Sequence, residues 1–125
     1  MLAMPASLYE RIGGDVAVLA AVELFYKKVM ADELTRPFFA GLDMVGQVKK
    51  QKAFMTWAFG GPAEYKGRDL REAHMPLVNR GLNDSHFDAV AKHLKATLVE
   101  LEVPSAEIDE VLNIVGSTRR DVLNR

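Results

Sequence analysis

Residues Asp43 to Pro62 read DMVGQVKKQKAFMTWAFGGP, and the fold turns on that stretch. Asp43 is a helix cap candidate, because its short carboxylate can accept from the unpaired N–H groups of a first turn. Gly60-Gly61, with Pro62 just beyond, stop the same helix. Between them Gln47, Gln51, Phe54, Met55 and Ala58 fall at i, i+4, i+7, i+8 and i+11, a single helical face. Two glutamines therefore head an otherwise apolar stripe, with Lys50 on its flank. A buried amide without a partner costs about 1–3 kcal/mol. Either this end of the helix is solvated, or the amides meet a structural hydrogen bond or a polar ligand in the core.

The same period extends in both directions. Toward the N-terminus, Val18, Val22, Phe25, Tyr26 and Val29 make one apolar stripe. Ahead of it, Ser7-Leu8-Tyr9-Glu10 fits a capping box for a short first helix. Gly13-Gly14 stop that helix, and Asp15 is expected to cap the next. Arg36-Pro37-Phe38-Phe39 reads as a short helical turn closed by Gly41. Toward the C-terminus, Pro62 to Gly67 reads as a loop, followed by a helical piece from Arg68 to Val78 with Pro76 near its end. Asn83, Asp84 and Ser85 are cap candidates for a helix carrying Phe87, Val90, Ala91, Leu94, Leu98 and Leu101. Pro104-Ser105 opens a last helix with Ile108, Val111, Leu112 and Val115, stopped by Gly116, and residues 117–125 read as a polar, charged tail. No stretch alternates with period two and no repeat is present. The expectation is one all-α domain over residues 1–125, its helices packed through short connections.

Composition narrows the function. The chain has 125 residues, 49% of them hydrophobic, with 16 Lys+Arg against 17 Asp+Glu and a net charge of −1. That is neither the low hydrophobicity of a disordered chain nor the basic excess of a general nucleic-acid binder. There are no cysteines, which excludes disulfides, thiolate zinc or iron–sulfur sites and thiol catalysis. The longest uncharged run, Ala53 to Ala63, is far short of the ~20 residues a membrane helix needs. Met1 to Pro5 lacks a basic region ahead of an apolar one, so no signal peptide is expected. A cytoplasmic protein without membrane or nucleic-acid partners is the expectation.

Three further residues break the pattern. Tyr26 carries its hydroxyl inward with the stripe of Val18, Val22 and Val29; the group reaches either a backbone carbonyl or a ligand. His74 shares a face with Leu70, Leu77 and Val78, and is either a satisfied core histidine or a ligand. His86 and His93 lie seven residues apart, about 10 Å along a helix, so both cannot hold one zinc ion. Between Lys49 and Arg71, Lys49, Lys50, Lys52, Lys66, Arg68 and Arg71 outnumber Glu64 and Asp69, which is either a solvated patch or a face for an anionic partner. A flat, mostly apolar, doubly anionic metal cofactor would satisfy all of these features.

At this point the sequence resembles the group I truncated hemoglobins, the cyanobacterial-type members especially. The resemblance covers nearly the whole chain. It is carried by Ser7-Leu8-Tyr9-Glu10, Gly13-Gly14, Phe25-Tyr26, Phe38-Phe39, Asp43-Met44, Gln47 with Gln51, Phe59-Gly60-Gly61-Pro62 and Tyr65-Lys66-Gly67-Arg68. Ala73-His74, His86-Phe87, Val103-Pro104 and Asp121-Val122-Leu123-Asn124 complete it. It implies a two-over-two helical sandwich around heme b, with His74 as proximal ligand to the iron. Phe39 then packs on the ring, and Tyr26, Gln47 and Gln51 form the distal hydrogen-bonding set over a bound diatomic gas. Lys49, Lys50 and Arg68 meet the propionates, while Phe54 and Met55 line an apolar route for gases.

Two departures qualify the resemblance. Some cyanobacterial relatives have a histidine at the position of Lys50, where it can take the sixth iron site. A lysine, with an ordinary pKa of about 10.4, can do so only after losing its proton. Desolvation favours that loss, and a propionate contact opposes it. Certain relatives also bond a late histidine to a heme vinyl group. This chain has no histidine after His93, so its heme is expected to be noncovalent.

The resemblance implies reversible binding of O2, with NO and CO as further ligands, by a monomer. Dioxygenation of nitric oxide would need an external reductase or other electron donor. The alternatives are storage or delivery of oxygen, gas sensing, and electron transfer through a six-coordinate heme with Lys50 as distal ligand.

Overall fold

The computed structural model describes residues 7–63 and 67–125, and for Gly67 and Arg68 the backbone alone. Among the described residues there are helices and no strands: α1 (Leu8–Ile12), α2 (Asp15–Ala31), a 3-10 turn (Arg36–Phe38), α3 (Met44–Ala58), α4 (Gly67–Asn79), α5 (Asp84–Glu100), α6 (Ser105–Gly116) and α7 (Arg119–Val122). The helix boundaries follow local chemistry. Ser7 Oγ accepts from the Glu10 N–H at 3.2 Å, and Gly13 ends α1 with φ +119°, a conformation costly for any residue with a Cβ. Asp43 caps α3 as expected, its carboxylate accepting from the Val45 N–H at 3.1 Å. Asn83 and His86 form a reciprocal capping box at the start of α5.

Three boundary expectations need correction. Gly14, not Asp15, is the N-cap of α2. Asp15 sits inside the helix, so its carboxylate is used elsewhere: it accepts from the Tyr9 hydroxyl at 2.5 Å and faces Lys52 Nζ at 3.7 Å. It thereby ties α1 and α3 to the start of α2. The fifth helix ends before Leu101, which is its C-cap and 37% exposed. Residues 117–125 are not a loose tail. They contain α7, and Thr118 and Leu123 are each 4% exposed. The low hydrophobic content of this segment hid two well-placed contacts. Of the expected loop from Pro62 to Gly67, residues 64–66 lie outside the described residues, and Gly67 already opens α4.

Packing runs in three pairs, α2 with α3, α5 with α6 and α4 with α7, and the first two cross through α2 on α5 and α3 on α6. The predicted stripe of α2 is the centre: Val18, Val22, Phe25, Tyr26 and Val29 are all buried. Met55 and Ala58 from α3, Leu94 and Leu98 from α5, and Ile108, Val111 and Val115 from α6 close around it. The turn after α3 is locked under α1, with the Tyr9 N–H donating to the Phe59 carbonyl at 2.9 Å. Gly61 must be glycine there, because a Cβ would stand 2.6 Å from the Tyr9 ring and 2.8 Å from Thr56. Among the described residues no helix is long and apolar enough to cross a membrane. What this packing leaves open is a cleft between α3 and α4.

Candidate functional site

The cleft is a cavity of about 410 Å³, within the range of small-molecule and cofactor sites. α3 supplies Gln47, Lys50, Gln51 and Phe54 to its wall, and α4 supplies Leu70, Ala73, His74 and Leu77. Phe38 and Phe39 reach it from the turn after α2, Phe87 and Val90 from α5, and Val115, Thr118 and Val122 from the C-terminal segment. The wall is mostly apolar, with a few polar groups.

Among the described residues, His74 is the only one of those groups on α4 with a nitrogen ligand to offer. Its Nδ1–H donates to the Leu70 carbonyl one turn back, at 2.8 Å. That bond commits Nδ1 and leaves Nε2 with its lone pair. Burial pushes the imidazole pKa below its ordinary value, only partly offset by the Leu70 hydrogen bond, so the neutral form is favoured. The alternative of a merely satisfied core histidine is weakened, since the ring borders open space.

On α3, Gln47 and Gln51 are half-buried and both border the cavity. Tyr26 lies behind them. It is buried, its hydroxyl donates to the Gln47 backbone carbonyl at 3.3 Å, and its ring meets Phe39 edge-on at 5.7 Å between centroids. Tyr26 thus supports two cavity residues without being one itself. Phe39 and Phe54 are on the wall. Met55 is not: it is fully buried in the core between the helices. Lys50 is exposed at the cavity rim, whereas Lys49 is exposed and off the wall. The Arg68 side chain, Glu64 and Lys66 lie outside the described residues. The basic segment is partly consumed by the fold, Lys52 facing Asp15 and Arg71 paired with Asp121 at 2.7 Å.

Several wall residues were not singled out from the sequence. Leu70 and Leu77 were visible only as neighbours of His74, and Phe38 as half of a Phe-Phe pair. Phe87 and Val115 read as ordinary core. Thr118 had no signal at all, and Val122 none beyond the Asp121-Val122-Leu123-Asn124 motif of the resemblance, because the segment carrying them reads as a polar, charged tail. His86 also borders the cavity; its Nδ1 accepts from the Asn83 N–H at 3.0 Å and its ring stands edge-on to Phe38 at 4.6 Å. Among the described residues no group of three or more His, Cys, Asp or Glu side chains is placed to hold a metal ion.

A mostly apolar cleft in a small all-helical fold, with one neutral imidazole on its α4 side and two amides on its α3 side, defines a globin-type cofactor pocket. The profile of the family described as bacterial-like globin matches residues 7–124, and the chain belongs to that family, among the group 1 truncated hemoglobins. It is 51% identical over 123 residues to the group 1 truncated hemoglobin of Synechocystis sp. (strain ATCC 27184 / PCC 6803 / Kazusa), covering 96% of this chain and 99% of that protein. To the group 1 truncated hemoglobin of Tetrahymena pyriformis it is 46% identical over 121 residues, covering 97% and 98%. Its fold superimposes on the crystal structure of the 2/2 hemoglobin from Synechococcus sp. PCC 7002, described as cyanomet with covalently attached heme, with a TM-score of 0.88. Identity there is 55%, covering 96% of this chain and 100% of that one.

Heme is the cofactor of this class, and the residues present fit it. A porphyrin brings four nitrogens of its own, so one histidine completes what a protein-only site would need three or four side chains to do. The aromatic and aliphatic walls suit its faces, and Lys50 at the rim suits a propionate.

Proposed function

We propose that the protein holds heme in the α3–α4 cavity through His74 Nε2 and binds dioxygen there reversibly, with nitric oxide and carbon monoxide as competing ligands. The observation that carries this reading is the His74 imidazole, oriented by the Leu70 carbonyl and set in the cavity wall. Bound heme supplies a ferrous iron that takes up diatomic gases and exchanges single electrons. The chain's own residues supply the rest. Gln47 and Gln51 bring amide donors to the α3 side, where a hydrogen bond favours a ligand that draws negative charge. Phe39, Phe54 and Leu77 keep water from the walls. Tyr26, bonded to the Gln47 carbonyl, braces that side from behind. A Soret band in the purified protein, and spectral changes on adding oxygen or carbon monoxide after reduction, test the reading. A colourless protein that takes up no added hemin would refute it.

From the same site we read a role in turning nitric oxide over. Nitric oxide, dioxygen and one electron together make nitrate, so a separate electron donor, an external reductase, is the partner required. Mixing oxygenated protein with nitric oxide in the presence of a reductant should yield many nitrates per heme; a yield of one or fewer would leave a carrier. The chain works as one globin domain spanning residues 1–125, and as a monomer. A cytoplasmic location fits the external reductase. Heme is held noncovalently: His93 is the last histidine, and Thr118 and Val122 form the C-terminal part of the wall.

A second reading is favoured by one observation, the presence of Lys50 on the same wall as Gln47 and Gln51. In it Lys50 would be the chain's residue for the sixth iron site in the absence of gas, and the protein would serve electron transfer or sensing. An unchanged visible spectrum in Lys50→Ala at neutral and alkaline pH would eliminate it.

A further inference from the structure

The stretch of α4 backbone at Leu70 and Arg71 is held from two directions. Its carbonyl oxygen, on Leu70, accepts the His74 Nδ1–H at 2.8 Å. Arg71 is gripped by the segment that follows α6: Nε donates to Asp121 at 2.7 Å, and Nη2 donates to the Arg125 backbone carbonyl at 2.8 Å. The Arg71 carbonyl in turn accepts from Asn124 Nδ2 at 3.1 Å. The three contacts come from residues 50 to 54 positions later in the chain.

The gripping segment is itself braced. Arg119 donates to Asp84 at 2.9 Å and Asp88 at 2.6 Å, and its guanidinium lies 4.4 Å from the centre of the Phe87 ring. Arg125 adds two bonds to Asp84, at 2.9 and 2.7 Å. α4 needs such support, because Pro76 offers no N–H to the Glu72 carbonyl and breaks the helical ladder around His74. Exposed ion pairs add little to stability, and the Arg71 and Asp121 side chains are 40% and 30% exposed. What this set can do with little energy is hold one carbonyl still.

We infer that Arg71, with Asp121 and Asn124, is a positioning set for the His74 imidazole: by anchoring the α4 backbone next to the Leu70 carbonyl it sets the ring's orientation and how firmly Nε2 holds its partner. The inference rests on the reading that His74 ligates heme.

The test uses the heme-loaded protein in its ferrous state. Two readouts are taken: the iron–histidine stretching band in the resonance Raman spectrum, and the rate of heme transfer to excess apomyoglobin. Urea unfolding of the heme-free protein runs alongside. Arg71→Ala should shift the band and speed heme loss about 5-fold, the size of one lost half-exposed ion pair. Arg71→Lys should recover part of both changes, since an ammonium can meet Asp121 but not also the Arg125 carbonyl. Asp121→Asn should fall between wild type and Arg71→Ala, and it carries the test if Arg71→Ala does not fold. Arg120→Ala, exposed on the same short helix, is the control and should match wild type. Should Arg71→Ala and Asp121→Asn keep the control's band and transfer rate, the inference is wrong, whatever the urea midpoint does. A wild-type protein that holds no heme would instead bring down the cofactor reading, and this inference with it.

Discussion

The Tyr26 hydroxyl donates to the Gln47 backbone carbonyl at 3.3 Å, joining α2 to α3 across 21 positions of sequence directly behind the cavity wall. The bond is long, and long hydrogen bonds are weak. Its value lies in where it acts: it steadies the first turns of α3, on which Gln47 and Gln51 stand. Removing either amide should therefore cost more than removing the hydroxyl. Gln51→Leu and Gln47→Leu are each expected to raise the oxygen dissociation rate about 10-fold, the effect of one lost hydrogen bond in a dry site. Tyr26→Phe should raise it less. Stopped-flow displacement of oxygen by carbon monoxide measures all three.

His74→Gly should abolish tight heme binding while leaving the helical content of the chain in place, and added imidazole should restore a Soret band by filling the gap. Rescue failing in a folded, heme-free variant would move the ligand elsewhere.

The same residue makes the heme-free protein sensitive to acid. Burial lowers the His74 pKa in the folded state below its ordinary value, so the unfolded chain takes up the proton first. The contribution of the neutral imidazole to stability is full above that ordinary value, about 6.5, and is lost as pH falls through the folded value. Urea midpoints of the heme-free protein should drop between pH 7 and pH 5, and the drop should shrink in His74→Phe.

A carboxylate gives a separate signature at lower pH. Asp32 accepts from the Leu34 N–H at 2.9 Å and meets His93 Nε2 at 2.7 Å, which pins the corner leading to Thr35 and Phe38 against α5. These hydrogen bonds, the Leu34 one first, lower its pKa from the usual carboxylate range. Their stabilisation is present above that range and is lost as pH falls through the folded value. Asp32→Asn should melt below wild type at pH 7, and the two curves should converge in acid.

Gly61→Ala tests the joint between α1 and α3. The new methyl would meet the Tyr9 ring at 2.6 Å and Thr56 at 2.8 Å, both packed side chains. A loss of about 1–3 kcal/mol in denaturant unfolding is expected. Heme spectra should change little, because the joint is remote from the cavity wall.

Much of this protein was written in its local sequence. The apolar stripes of α2, α3, α5 and α6, the Asp43 and Asn83 caps and the glycine stops each depend on residues within a turn or two, and sequence shows such neighbours directly. His74 and the two glutamines were legible for the same reason, as polar residues on faces their neighbours marked as inward. Periodicity could place Met55 on the same face as Gln51, yet only packing decides which part of that face meets another helix and which meets open space. Met55 went to the core and Gln51 to the cavity. The contacts of Tyr26 with Gln47 and Arg71 with Asp121 join residues far apart in the chain, and no local pattern announces them. The segment after Gly116 shows the limit most clearly. It reads only as a polar, charged tail because the partners that neutralise its charges, Asp84, Asp88 and Arg71, come within reach only after the helices have folded back on one another.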